Sequence, residues 1–278
     1  MTGLHFDWVR DTPLLVLGAA LLFLMTVAFI GGRMIYDYQE SRRKAEKARK
    51  WSHDYEGYIV SSVLGLLAIL LGFTFSLAIN RYEQRRELVI AHANAIGTTY
   101  LRVQLLAPPH RERLSKLLVD YTDNVVALGS ARRGATSALL AKDDTFLTDI
   151  WAATTAAFDS IRPTSLSISL LQTTNDMIDL DSTRRNMRIV HIPREVFSVL
   201  LIYLIGAAGV LGFVLAEGPG RFAGGFILIL LSLSLLLIID IDRPASGIIR
   251  EDQTPMLLLR DSLKNQPPAV FDRWRTTP

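Results

Sequence analysis

Between Glu56 and Arg81 the chain carries no formal charge. The run opens Gly57-Tyr58-Ile59-Val60 and closes Leu77-Ala78-Ile79-Asn80. About 20 apolar residues in helical form span a bilayer core, so residues 58–80 read as a transmembrane helix. The sequence does not break at the interface. Arg81-Tyr82-Glu83-Gln84-Arg85-Arg86-Glu87-Leu88 continues with good helix formers and no Pro or Gly. Gly97 is the first punctuation, and Pro108-Pro109 is the first certain stop. One rod is therefore expected to leave the membrane and enter an extramembrane region, with the rest of the chain organised on it.

Half of the 278 residues are hydrophobic, and they are bunched into uncharged runs rather than spread periodically. Three further runs, Thr12–Gly32, Val196–Ala216 and Phe222–Ile239, are long enough to cross a bilayer. The first lacks a short basic leader and a small-x-small cleavage site, so it reads as a retained helix rather than a signal peptide. The expected class is all-α: a polytopic membrane protein with four transmembrane helices and a helical extramembrane domain built on the extended second helix. The boundaries are 1–35 for the lead-in and first span, 36–57 for a basic connection and 58–80 for the second span. Residues 81–193 form the extramembrane domain, 194–243 a transmembrane hairpin, and 244–278 a tail that docks on the soluble helices.

Trp8 marks one interface; Trp51, Tyr55 and Tyr58 form an aromatic girdle before the second span. Residues 39–50 are charged and helix-prone, a solvated extension of the first helix. After Pro109, Leu114, Leu117, Leu118, Tyr121, Val125 and Leu128 recur at helical spacing. Gly129–Ser137 reads as a basic loop, with Asp143-Asp144 capping a helix that carries Phe146, Ile150, Trp151, Phe158 and Ile161 and ends at Pro163. Thr164 or Ser165 caps the next, with Ile168, Leu171, Asn175, Ile178 and Arg185 on its buried side. Pro193 turns the chain into the third span at Arg194. The loop 217–221 closes an antiparallel hairpin, residues 254–263 form a short docking helix, and the chain frays from Lys264.

Four spans put both termini and the central domain on one side. Basic residues near the span ends number slightly more on that side, through Arg81, Arg85, Arg86, Arg184, Arg185, Arg188 and others. The strongly basic stretch Arg42–Lys50 argues the other way. The expected placement is a cytoplasmic domain with cytoplasmic termini. A net charge of +3 is explained by topology and anionic lipid rather than by nucleic acid.

No motif for catalysis stands out. The five histidines form no HExxH pair, there is no P-loop, dinucleotide glycine pattern or GxSxG elbow, and the absence of cysteine removes thiolate chemistry. No cofactor, no metal and no enzymatic activity are expected. The second helix is more informative. Ser62, Leu66, Ile69, Phe73, Ser76 and Asn80 follow steps of three or four and share one face, which extends to Glu87. Repeated around a symmetric ring, that face would make a pore with an apolar neck from Leu66 to Phe73 and a carboxylate ring at Glu87. The competing reading is that Ser76 and Asn80 bond between helices of one subunit. Gly65 and Gly72 read as sites of close helix contact. Asp240, Asp242 and Arg243 at the end of the fourth span need pairing or hydration. With Arg81, Arg85, Arg86, Arg184 and Arg185 they form an expected structural polar network; a cation-attracting vestibule is the alternative. By the same logic Arg184, Arg185 and Arg188 have Glu83 or Glu87 as expected partners.

The residues Leu77-Ala78, Arg81, Glu83, Arg85, Arg86 and Glu87, then Ala93-Asn94-Ala95-Ile96-Gly97-Thr98 and Tyr100-Leu101-Arg102, resemble a largely bacterial family of bestrophin-like membrane proteins. Leu170–Ile178, Asp242-Arg243-Pro244, Gly247 and Pro255-Met256 resemble its later blocks. The resemblance covers about Ser52 to Leu263 and implies a homo-oligomeric, pentameric ion channel of the bacterial inner membrane. Its pore would be lined by the second membrane helix, with inorganic ions and membrane lipid as partners. The chain departs from bestrophins in carrying Phe73 as the single aromatic on the stripe, in a longer basic connection, and in having no acidic calcium clasp. A non-conducting scaffold or signalling protein, and a membrane enzyme with a pocket near Asp240, Asp242 and Arg184, are the alternatives.

Overall fold

The computed structural model describes residues 12–46, 54–131, 133–162, 164–216, 220–244 and 247–274. The interfacial Trp8, the connection around Trp51, Pro163 and the hairpin loop 217–219 lie outside them. Among the described residues all regular structure is helical: α1 (Leu14–Glu46), α2 (Asp54–Val103), α3 (His110–Ser130), α4 (Arg133–Ser160), α5 (Ser165–Ile189), α6 (Arg194–Val214), α7 (Gly220–Asp242), α8 (Thr254–Asn265) and a 3₁₀ turn (Pro268–Asp272). Among the described residues four helices are long and apolar enough to cross a membrane. The chain divides into two compact units, residues 1–81 with 191–249 and residues 82–190 with 250–278. The 50-residue α2 is unbroken across that boundary and is roughly 75 Å long at 1.5 Å per residue. Gly97 does not interrupt it. The peptide bond joining Pro108 and Pro109, beyond its end, is cis.

In the first unit, α1 packs on α6 and α7 through small residues. A side-chain carbon on Gly32 would lie 1.9 Å from the Gly209 carbonyl oxygen, and one on Gly212 would lie 1.9 Å from the Phe29 carbonyl oxygen. Backbones at that separation require glycine. Lipid tails are as apolar as leucine, so helix association in a bilayer relies on such close van der Waals contact. The Tyr36 and Phe213 rings meet edge to face at 5.6 Å, and Ser232 Oγ donates to Met25 Sδ at 3.3 Å.

The second unit has a water-type core. Val89, Ile96, Tyr100, Leu114, Leu118, Tyr121, Val125, Ile150, Leu170, Met177, Met256 and Leu263 are buried together. The α3 stripe read from the sequence faces this core, with Leu117 at its margin. α8 docks on it through Met256 and Leu263. Fraying from Lys264 is not seen in the described residues up to 274. Lys264 Nζ donates to Asp123 at 2.7 Å, the Tyr100 hydroxyl donates to the Gln266 carbonyl at 2.8 Å, and Arg111 holds both Asp272 oxygens at 2.8 Å.

Two local expectations fail for one reason. α4 begins at Arg133, so Asp143-Asp144 lies mid-helix and caps nothing. On α5 the buried residues are Ser167, Leu170, Thr173, Thr174, Met177, Asp181 and Arg184, whereas Ile168 and Asn175 are exposed. In both helices buried charges, paired with one another, set which face turns inward. Apolar spacing alone does not find such a face.

Candidate functional site

α2 has two contrasting edges. One is buried along its length: Leu67, Leu71, Thr74 and Ala78 in the first unit, then Arg85, Val89, His92, Ala93 and Ile96 in the second. The other carries every residue of the sequence-derived stripe. Ser62, Leu66, Ile69, Phe73, Ser76, Asn80 and Glu87 are all exposed in the single chain. Phe73 is 69% exposed while Leu67 is wholly buried. Steps of three and four keep each set on its own edge, so the helix has an inner side covered by its own chain and an outer side that its own chain leaves bare.

Along the bare edge the chemistry changes with depth. Ser62 Oγ returns its hydrogen to the Tyr58 carbonyl at 2.8 Å. Leu66, Ile69 and Phe73 then form an apolar stretch roughly 10 Å long at the helical rise. Ser76, Asn80 and Glu87 follow. Glu83, near the same edge, takes a hydrogen bond from Arg86 at 3.4 Å within the helix. Thr74, on the covered edge, bonds to the Leu70 carbonyl. Gly65 and Gly72 do not serve close contact within the subunit: a side-chain carbon at either position meets nothing within 4 Å.

Within each unit, charged residues of the expected network hold local partners. At the end of α7, Asp240 is buried and accepts from the Ile248 N–H at 2.7 Å and the Ile249 N–H at 2.9 Å. Gly247 lets that loop close, since a side-chain carbon there would lie 2.5 Å from Asp240 Oδ1. Asp242 accepts from the Ile192 N–H at 3.1 Å, and His191 Nδ1–H donates to the Asp242 carbonyl at 3.0 Å. Arg243 donates to the Thr12 carbonyl at 3.0 Å. These bonds tie the start of α1, the entry to α6 and the exit of α7 together. Both acids are buried and bonded to backbone amides.

In the second unit, Arg184 and Arg185 do not reach for Glu83 and Glu87. Arg184 donates to Gln253 at 2.6 Å and lies 3.6 Å from Glu251, which Arg188 also holds at 2.6 Å. Arg185 bridges Asp143, Asp144 and Asp181. Asp143 also accepts from Asn124 at 2.9 Å. The Tyr121 hydroxyl lies 3.0 Å from His92 Nε2. Burial first, then the charges of Asp181 and Asp143, push the Tyr121 phenol well above its usual range, so it remains a neutral hydrogen-bonding group. Arg85 is buried on α2, Arg81 is half-buried and Arg86 exposed. Sequence reasoning missed Asp143, Asp181 and Glu251. One pairing had a local signal, since Asp181 stands four residues before Arg185 on the same helix face; Asp143 and Glu251 are distant in the chain from the arginines they hold. Among the described residues no group of three or more His, Cys, Asp or Glu is placed to hold a metal ion.

The family model for the Bestrophin-like domain matches residues 22–256. The chain belongs to the bestrophin-like family. Among solved structures it is similar to a bacterial bestrophin homologue from Klebsiella pneumoniae solved by Zn-SAD phasing, at 14% identity and a TM-score of 0.60, covering 92% of this chain and 99% of that one. Two point variants of the Klebsiella pneumoniae homologue match comparably. A tyrosine-to-alanine variant gives 13% identity and a TM-score of 0.62 over 88% of this chain and 97% of the other. A tryptophan-to-alanine variant gives 15% and 0.62 over 91% and 96%. No curated protein matches the chain. Family and spans together make it a multi-pass membrane protein, and membership of the bestrophin-like family is consistent with channel-type function.

Proposed function

We propose that this bestrophin-like protein is a homo-oligomeric ion channel whose ion path is lined by the bare edge of α2. The observation that carries the reading is the asymmetry of that helix. One edge is covered by the protein's own side chains from Leu67 to Ile96, while Ser62, Leu66, Ile69, Phe73, Ser76, Asn80 and Glu87 are exposed in the single chain. A membrane helix that turns serine, asparagine and glutamate outward at the foot of an apolar stretch needs an aqueous or protein surface there. A symmetric ring of copies supplies one. The apolar stretch from Leu66 to Phe73 acts as the constriction, and Ser76, Asn80 and Glu87 line a wetter vestibule beyond it. By family resemblance the ring is a pentamer, inorganic ions are its cargo, and the second unit and both termini lie in the cytoplasm.

The test is reconstitution of the purified chain into planar bilayers beside the Phe73→Ala variant, with the subunit number measured by native mass spectrometry. The expected result is single-channel steps whose size or open probability changes in Phe73→Ala. Reversal potentials in asymmetric salt then give the sign of the permeant ion. Steps unaltered by Phe73→Ala and by Ser76→Arg would place the ion path elsewhere.

A further inference from the structure

Three carboxylates of the second unit converge on one guanidinium. Arg185 on α5 touches Asp143 and lies 2.5 Å from Asp144, both on α4. Its Nε lies 2.6 Å from Asp181, one turn earlier on α5. Asp144 is exposed, whereas Asp143 and Asp181 are buried. Two buried acids on neighbouring helices are thus gathered at a cation whose own side chain is 25% exposed. Asp181 Oδ2 is shut off from solvent and accepts no hydrogen bond.

The groups around this pair come from every helix that packs on it. From α3, Asn124 donates to Asp143 at 2.9 Å, and the Tyr121 hydroxyl lies 3.0 Å from His92 Nε2 on α2. After burial, the charges of Asp181 and Asp143 both raise the Tyr121 phenol, so the two carboxylates act on the same buried point. Burial, then the charges of Arg184 and Arg185, lower His92 to about 3, and it takes up no proton in mild acid. Arg184 and Arg188 are turned to Glu251 and Gln253 ahead of α8, and Arg85 is buried on α2 two turns before His92. Guanidiniums keep their protons throughout. Asp181 moves the other way. Burial first, then the charge of Asp143, raise it to about 6 against the pull of Arg185, Tyr121 and Arg184. Like charges in one desolvated site resist joint ionisation, and such a pair titrates as a unit.

We propose that Asp143 and Asp181, gathered at Arg185, form a proton-binding latch between α4 and α5, which takes up one proton in mild acid and tightens when it does. At neutral pH both carboxylates are charged and repel one another beside Arg185. A proton on Asp181 removes that repulsion, while Asp143 keeps its bonds from Asn124 and Arg185. Folded Asp181 holds its proton more tightly than the unfolded chain does. Its unfavourable contribution is therefore full above about pH 6 and is relieved as pH falls towards the ordinary value of 3.8. The latch is separate from the bare edge of α2 and does not depend on whether the protein conducts.

The test follows amide exchange of α4 and α5 in the full chain in detergent, corrected for the intrinsic exchange rate at each pH. The comparison is Asp181→Asn, which has the shape of the protonated acid and does not titrate. His92 and every other titrating group are common to both proteins and cancel in their ratio. Between pH 7.5 and pH 5, protection in the unaltered chain relative to the variant should rise about ten-fold, the gap in proton binding between folded and unfolded Asp181 read at pH 5. A ratio that stays constant or falls over that range overturns the proposal. If Asp181→Asn does not fold, the infrared carbonyl stretch of protonated carboxyls decides. A band with its midpoint at about pH 6 that moves down in Asp143→Asn, where the like charge is gone, supports the latch. A midpoint unmoved in Asp143→Asn, or carboxyls that protonate only at about pH 4, overturns it.

Discussion

The two units of this chain solve the same packing problem with opposite chemistry. The first is held by the absence of side chains: Gly32 against Gly209 and Gly212 against Phe29 bring backbones together where no methyl group fits. Its buried acids, Asp240 and Asp242, turn to backbone amides at the membrane edge. The second unit buries large apolar side chains and, among them, a set of ion pairs built on Arg184, Arg185, Asp143, Asp181 and Glu251. The difference follows from solvent. Water rewards burial of apolar area, so the second unit gains stability from leucine and methionine and can carry ions that are paired. Lipid gives no such reward, so the first unit depends on close fit. α2 belongs to both units, and in both it has one covered and one bare edge.

The largest expected effect falls on the fit in the first unit. Gly212→Leu drives a side chain into the Phe29 backbone and should cost more than about 3 kcal/mol, because neither backbone can yield as a side chain would. Size-exclusion chromatography should show loss of the monodisperse oligomer. Gly65→Leu, with open space around it in the subunit, should leave the fold of the single chain intact. If Gly212→Leu is tolerated as well as Gly65→Leu, close fit is not what holds this unit.

Next comes the ion cluster. Asp143→Ala leaves Asn124 with only the Leu139 carbonyl as acceptor and removes a wholly buried carboxylate from Arg185, and should destabilise the second unit by about 3 kcal/mol, as loss of one partner in a buried pair does. Thermal unfolding in detergent checks this. A Tm change within error would mean that the cluster is solvated rather than buried.

Phe73→Ala should behave in the opposite manner. At 69% exposure in the single chain, its truncation should alter stability of the subunit fold by less than about 0.5 kcal/mol, as surface changes do, while altering conductance. A large stability loss with unchanged current would make Phe73 a packing residue.

The smallest effect concerns α8. The Asp252 carboxylate accepts from the Thr254 N–H at 2.9 Å, and the hydrogen bonds from Thr254 hold it below the usual carboxylate range. A lowered carboxylate contributes fully above its unfolded value and loses that contribution as pH falls through the folded value. Asp252→Ala should therefore cost at most about 0.5 kcal/mol at neutral pH, the loss of one exposed hydrogen bond just ahead of the Gln253 N-cap. The gap to the unaltered chain should close under strong acid. Amide exchange of residues 254–258 measured at both pH values reads it directly.

Much of this organisation was legible in the sequence because charge is the strongest punctuation a membrane protein has. The uncharged runs delimit the spans, and the unbroken stretch from Tyr58 past Glu87 foretells α2. The stripe from Ser62 to Glu87 was legible too, since helical periodicity alone places its members on one edge. What could not be read was the pairing of buried charges. Asp143 looked like a cap because isolated acids belong at helix starts; its place inside α4 makes sense only with Arg185, which is 42 residues away in the chain. The α5 face was missed for the same reason, because Asp181 and Arg184 turn inward where apolar spacing would point Ile168 and Leu171. Glycine carries a similar ambiguity: Gly65 and Gly32 look alike in sequence, and only the neighbouring backbone separates an open position from an obligatory one.

The central claim is that the bare edge of α2, and not the covered one, faces the ion path. The chain has no cysteine, so single cysteines can be introduced without background and treated with a charged, membrane-impermeant thiol reagent during bilayer recording. The account predicts modified current at Leu66→Cys, Ile69→Cys, Phe73→Cys and Ser76→Cys, and unmodified current at Leu67→Cys, Leu71→Cys, Thr74→Cys and Ala78→Cys. Modification that follows the covered edge, or that shows no helical phase in a conducting protein, would contradict it.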